Sequence, residues 1–482
     1  MVIGAGSAGL TVAYLASQLK AKVALVEKDK MGGDCLNTGC IPSKALIRSA
    51  KILSLSKKAK ELGFNSLDID YDFEKIMNRV HGKIKEIAPH DSVERYEKLG
   101  VTCFQAQAEI ISPHELRIGS RNYKTKALVI ATGAKSRFIP FPGLNQISYL
   151  TSESLWNLKA LPKRLLVLGG GPIGCEFAQC FRNLGSQVSL VEQAPRLLFR
   201  LSEKVSMFLS HQFKKEGIDI FTSVKVKSFQ LNSQGEKSVL IQEKQNKERK
   251  IVFDEVLLAL GRQACIEGFG LEKLNIKTSK GVLVSDEFMA TNYPNIFVCG
   301  DVTGPYQFTH MASYQAYYAC LNALFRPYTY FLPPGIKKNF LKINYNIVPW
   351  ALYTYPEVAQ AGFTKEDLKQ QGTAYESVTY ELTHLDRAIT DSENLGFIEV
   401  LTPPKKDKIL GVSLVHPRAS EMISEFILAM THNLGLKSIL SCIHIYPTLS
   451  EGNRYVAGEW MKKNQSKRVL KVLKSFHTWR RH

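Results

Sequence analysis

Two glycine-rich turns of one design, at residues 4–9 and 169–174, set most of what this chain can fold into. The first sits in a strand–turn–helix run: Val2-Ile3, then Gly4-Ala5-Gly6-Ser7-Ala8-Gly9, then an apolar-periodic helix to about Leu19. A second strand, Lys22 to Val26, ends in Glu27. Such glycines permit a tight turn and let a pyrophosphate approach a helix N-terminus, while the acid receives ribose hydroxyls. The second turn, Gly169-Gly170-Gly171-Pro172-Ile173-Gly174, follows a strand from Lys163 to Val167 and opens a helix bearing Glu176. The next strand, Gln187 to Val191, ends in Glu192. A single G-x-G-x-x-G is a weak signal, but each of these comes with its strands, helix and acid. Two such sites imply two dinucleotides. Glu192 favours a free 2′-hydroxyl, hence NADH over NADPH, and Arg196 and Arg200 stand near enough to weaken that preference. The first strand is short, so the natural start is expected upstream or misassigned.

Length and composition set outer limits. A chain of 482 residues exceeds one core, and two to four domains are expected. Its 45% apolar and 22% charged residues describe a soluble protein. No apolar run reaches the roughly 18–20 residues that span a bilayer. The chain opens almost directly on Val2-Ile3-Gly4, which does not read as a signal peptide. Nine cysteines scattered through apolar segments suit a reducing cytoplasm. The formal charge of +19 is high for an enzyme, and part of it lies after Met461. Residues 462–482 hold eight Lys/Arg and no acid, and Val469, Leu470, Val472, Leu473 and Phe476 fall near helical spacing among them. A basic amphipathic helix can lie on an anionic membrane surface. The alternatives are a frayed extension or a helix packed on its own protein. No nucleic-acid-binding fold accompanies the charge, so no nucleic-acid partner is expected.

The chemistry concentrates between the two turns. Residues 32–44 read Gly-Gly-Asp-Cys-Leu-Asn-Thr-Gly-Cys-Ile-Pro-Ser-Lys. Pro42 suits the first turn of a helix, which puts Cys40 at its positive end and favours the thiolate. A pair such as Cys35 and Cys40 can cycle between disulfide and dithiol. An incidental C-x4-C is common, and a zinc site lacks a second Cys/His pair at ligand spacing.

With the fingerprint before it, the Gly-Gly-x-Cys-x4-Cys-x-Pro-Ser-Lys string resembles the flavoprotein disulfide reductases, the class I FAD-dependent pyridine nucleotide-disulfide oxidoreductases. Within that family the chain is most similar to the dihydrolipoamide dehydrogenase-like and mercuric reductase-like branch, with motifs in order as far as about Ala457. The resemblance implies an α/β fold: two Rossmann-type three-layer domains, binding FAD and NAD(H), with NADP(H) disfavoured, plus an α+β dimerisation domain. It places the FAD domain in residues 1–150 and 271–340, the nicotinamide domain in 151–270, the interface domain in 341–460 and a basic tail in 461–482. Pro333-Pro334-Gly335 reads as a linker.

The resemblance also implies roles. Cys40 faces the flavin as a charge-transfer thiolate, and Cys35 is the outer sulfur that meets the acceptor. Lys44 pairs with Glu176 beside the flavin, where the pair stabilises incoming negative charge. Asp301 binds the ribityl chain, and the helix starting near Thr309 points its N-terminus at the flavin. Nearby His310 reads as structural. Cofactor contacts are further expected from Gly4, Gly6, Ser7, Gly9, Glu27, Gly33, Ala108, Thr132, Gly133 and Phe308. On the nicotinamide side they are expected from Gly169, Gly171, Gly174, Glu192, Val226 and Gly261. No bound metal is expected.

One departure bears on the acceptor. Disulfide-reducing members place His-Pro-Thr-x-x-Glu across the dimer, where the histidine handles the proton of a leaving thiolate. Here Tyr446 precedes Pro447, His444 lies two positions earlier, and Glu451 is retained. Tyrosine, with an ordinary pKa near 10, is a poor base. Weak turnover of lipoamide or glutathione disulfide is therefore expected, which favours a metal ion or other electrophile. Mercuric reductases carry tyrosine here too, yet receive Hg(II) through cysteines near the C-terminus, and the last cysteine here is Cys442. His444, on the same side of an extended segment, is left open as a substitute base. The expected enzyme passes electrons from NADH through FAD to Cys35–Cys40 and on to an unnamed acceptor. A diaphorase reducing quinones directly from FAD, peripheral at a membrane, is the alternative.

Overall fold

The computed structural model describes residues 1–326 and 341–481. The Pro333–Gly335 linker expectation lies outside the described residues. The chain divides into two compact units: residues 1–54, 69–195 and 217–345 form the first, and 55–68, 196–216 and 346–482 the second.

The first unit carries two parallel sheets. One is ordered Ile296–Val298, Leu128–Ile130, Val2–Ile3, Ala24–Glu27, Thr102–Gln105. Successive side chains of a strand point to opposite faces, and the core divides accordingly. Val2, Leu25, Val129 and Phe297 pack with the helices Ser7–Gln18 and Thr309–Phe325. Ile3, Val26, Ile130 and Val298 pack with Ile110 and Leu116 of an antiparallel sheet built from residues 108–124. These strands are apolar on both faces because both are covered, as parallel sheets require. The second parallel sheet is ordered Asp219–Thr222, Gln187–Glu192, Arg164–Leu168, Glu255–Leu258. Its fingerprint helix, Pro172–Asn183, is mostly buried, and a three-stranded antiparallel sheet from Lys225 to Phe253 adjoins it.

The second unit holds a five-stranded antiparallel sheet ordered Trp350–Leu352, Glu357–Gly362, Gly411–His416, Phe397–Thr402, Glu376–Glu381. Its core also takes in Phe426, Leu436, Val456 and Trp460 from helices after residue 418. The α/β class and the α+β C-terminal domain are as expected.

Residues 467–479 form a helix capped by Ser466, whose hydroxyl accepts from the Val469 N–H. It contains no buried residue. No described helix is long and apolar enough to cross a membrane.

Candidate active site

The two fingerprints have nearly the same geometry. A Cβ on Gly9 would stand 1.8 Å from the Gly4 carbonyl oxygen, and one on Gly174 would stand 1.8 Å from that of Gly169. Only glycine lets each helix start this close to its turn. The acids match as well. Glu27 accepts from the Ala5 and Asp29 N–H groups at 2.6 and 2.8 Å, and Glu192 accepts from Gly170 and Ala194 at 2.6 Å each. Each carboxylate thereby ties its strand end to its glycine turn, where a ribose would lie.

The cysteine loop leans on the first turn. Gly33 has φ +58°, and a Cβ there would meet the Gly6 Cα at 2.6 Å. A short helix, Gly33–Asn37, carries Cys35, and Cys40 is the first residue of the helix Cys40–Ser56. The two sulfurs are hydrogen-bonded partners, and Cys40 Sγ lies 3.2 Å from Thr309 Oγ1. The bond from Cys35 acts first, and Thr309 and Lys44 add to it, lowering the Cys40 thiol to about 6 against the cost of burial. The same bond and burial push the Cys35 thiol well above the ordinary range. One sulfur is therefore a thiolate at neutral pH, and its partner supplies the proton that stabilises it.

Lys44 Nζ lies 2.9 Å from Glu176 Oε2, whose side chain is only 8% exposed. The cysteine helix and the second fingerprint helix thus meet through an ion pair. Arg262, which the sequence reading passed over, links two carboxylates: Nη2 lies 3.0 Å from Asp34 and Nε 3.3 Å from Asp301. Its Nη2 also donates to the Ala134 carbonyl. Burial pushes the Asp301 carboxyl up, against the pull of Arg262. The only sequence signal was its place after Gly261, which says nothing of those partners.

The remaining expected residues are placed as follows. Thr132 donates to the Cys265 carbonyl beside Gly133. Phe308 caps the helix Thr309–Phe325 and stacks on His310 at 5.4 Å. Ala108 begins a strand and packs near Ile3 and Val26. Val226 pairs with Ile241 at a bulge, and Gly261 accepts from the Arg137 N–H. Gly171 caps the helix Pro172–Asn183. A cavity of about 550 Å³ is lined by Ser7, Tyr14, Arg95, Thr309, Ser313 and Tyr317. Ser7 and Thr309 also pull the Cys35 thiol down, against the larger effects of Cys40 and burial. Neither Tyr14 nor Arg95 carried a signal in the sequence.

In the second unit the Tyr446 hydroxyl donates to Asp386 at 3.1 Å, and this bond raises its pKa. Glu451 is buried and accepts from the Thr448 N–H and the Tyr455 hydroxyl. His444, left open as a substitute base, is held by polar neighbours. Its side chain is 7% exposed, Nε2 lies 3.0 Å from Glu425, and Nδ1 lies 3.2 Å from the Cys442 carbonyl. Both ring nitrogens thus have a polar partner within the second unit.

The chain matches the pyridine nucleotide-disulphide oxidoreductase family over residues 1–316 and that family's dimerisation domain over residues 348–456, and it belongs to this family. It is 32% identical over 457 residues to the dihydrolipoyl dehydrogenase of Chlamydia pneumoniae, covering 94% of each chain. It is 29% identical over 458 residues to the mercuric reductase of Staphylococcus aureus, covering 95% of this chain and 81% of that one. Among solved structures it is similar to the HOCl-induced flavoprotein disulfide reductase RclA of Escherichia coli, with TM-score 0.81 and 26% identity over 95% of this chain and 98% of that one. The chain is accordingly an FAD- and NAD(P)H-dependent oxidoreductase of the disulfide reductase class, and its dimerisation domain supports a homodimer.

Proposed function

We propose that this enzyme uses NADH to reduce a thiol-reactive electrophile, with a soft metal ion as the leading class, rather than a small disulfide. Bound FAD supplies the two-electron relay between nicotinamide and sulfur. The chain's own groups do the rest: Lys44 and Glu176 hold the cofactor side, Cys40 stays deprotonated, and Cys35 is the sulfur that meets the acceptor. Reducing the Cys35–Cys40 disulfide takes two electrons, and transferring them to the acceptor re-forms it. On this reading residues 1–150 and 271–340 build the FAD domain, 151–270 the nicotinamide domain and 341–460 the interface domain. Tyr446 and Glu451 reach the cysteines of the other subunit.

The observation that carries the acceptor class is Tyr446, bonded to Asp386 with a raised pKa. A tyrosine so held is a poor proton carrier for a leaving thiolate. A Cu(II) complex of the Escherichia coli relative and the name of the Staphylococcus aureus relative agree with a metal acceptor. The test is an NADH-dependent acceptor screen on wild type, Cys35→Ser and Tyr446→His. Cu(II) or Hg(II) reduction lost in Cys35→Ser supports the reading, as does lipoamide turnover gained in Tyr446→His. Full quinone reduction by Cys35→Ser, with no metal reduction in wild type, overturns it in favour of a diaphorase.

A further inference from the structure

The helix Lys467–Trp479 has no buried residue, yet it is not a uniformly polar helix. At 3.6 residues per turn, Val469, Leu470, Val472, Leu473, Phe476 and Trp479 fall on one half of its circumference. Lys467, Arg468, Lys471 and Lys474 fall on the other, and Arg480 and Arg481 follow its end. All six apolar side chains are exposed. An apolar arc this wide on a soluble chain marks a face made to be covered. Asn464, Gln465 and Ser466 separate it from the preceding helix, Glu451–Lys463, and the Ser466 cap starts it as an element of its own.

We propose that this helix lies in the plane of an anionic lipid bilayer, with its apolar arc in the acyl boundary and its lysines and arginines at the phosphates. The charge distribution selects this occupant. Residues 462–481 hold eight Lys/Arg and no acid. A second copy of the helix could cover the apolar arc, but it would bring the same cations against the first. A plain acidic peptide would meet the basic arc and leave the apolar one in water. A surface of negatively charged headgroups over hydrocarbon meets both arcs at once. Trp479 sits at the helix end, where an indole favours the headgroup level.

The test uses full-length FAD-loaded protein and co-sedimentation with vesicles of phosphatidylcholine alone or with about 30% phosphatidylglycerol, a charge density in the range of anionic membranes. Partitioning should be at least about tenfold stronger on the anionic vesicles and should fall as salt is raised. Each of Lys467→Gln, Lys471→Gln and Lys474→Gln should weaken it about fivefold. Phe476→Asp should abolish it, while NADH oxidation by the same sample shows that the variant is folded. Three outcomes overturn the proposal: equal partitioning on neutral vesicles, partitioning unchanged by Phe476→Asp, or wild type that stays in the supernatant. A change from dimer to monomer on Phe476→Asp, read by light scattering, overturns it in favour of a second copy as the occupant.

Discussion

A thiol lowered to about 6 beside one raised out of range is a statement about a single shared proton. Above pH 6 that proton sits on Cys35 and the charge on Cys40. Reduced protein should therefore show a thiolate absorbance that titrates near pH 6 and is absent in Cys40→Ser. Cys35→Ala removes the largest cause, so the midpoint should rise toward the ordinary thiol value of about 8.5. A wild-type midpoint already near that value would contradict the assignment. Arg262 acts on the same charge from further out, because it offsets Asp34, whose carboxylate raises the Cys40 pKa. Arg262→Met should lift the thiolate midpoint. It should also cost about 1.5–3 kcal/mol for the charged hydrogen bond to the Ala134 carbonyl, read by urea denaturation. Arg262→Lys should restore little, since an ammonium cannot span two carboxylates as a planar fork does.

Each fingerprint helix depends on one close approach, and the two can be separated by substitution. Gly9→Ala pushes a methyl group into the Gly4 carbonyl, and Gly174→Ala does the same at Gly169. Gly9→Ala should yield colourless protein that takes up no FAD. Gly174→Ala should stay yellow but show a KM for NADH raised at least about tenfold, the scale of a lost 1.4 kcal/mol. Loss of colour in Gly174→Ala alone would reverse the assignment of the two sites. The charge on Glu192 belongs to the same turn, held by the N–H groups of Gly170 and Ala194. NADH should outpace NADPH in kcat/KM, and Glu192→Ala should narrow the ratio.

At the scale of the whole molecule, the loop before Glu451 is apolar and turned outward: Ile443 is 98% and Ile445 78% exposed. Tyr446 beside them is exposed as well. Large side chains so exposed are expected to be covered by another copy in a family whose second domain is for dimerisation. Ile445→Asp should shift the light-scattering mass from dimer to monomer. If the loop serves the other subunit's cysteines, acceptor turnover should fall with the dimer while NADH-dependent reduction of the bound flavin persists.

The periodic strands, both glycine turns and the Cys-x4-Cys string were legible in the sequence because each is local: spacing and residue type specify them within a dozen residues. So were Glu27 and Glu192, whose distance from their turns is set by one helix and one strand. The Lys44–Glu176 contact was foreseen only through family resemblance, since 132 residues separate its partners. Arg262 between Asp34 and Asp301, the cavity wall of Tyr14 and Arg95, and the capture of His444 by Glu425 were not foreseen at all. Chain spacing is blind to what packing brings together. The sequence by itself determined which chemistry this protein carries, because that chemistry resides in short strings. Only the tertiary structure decided which arginine spans the two carboxylates and which groups surround His444, because those partners lie far apart in the chain.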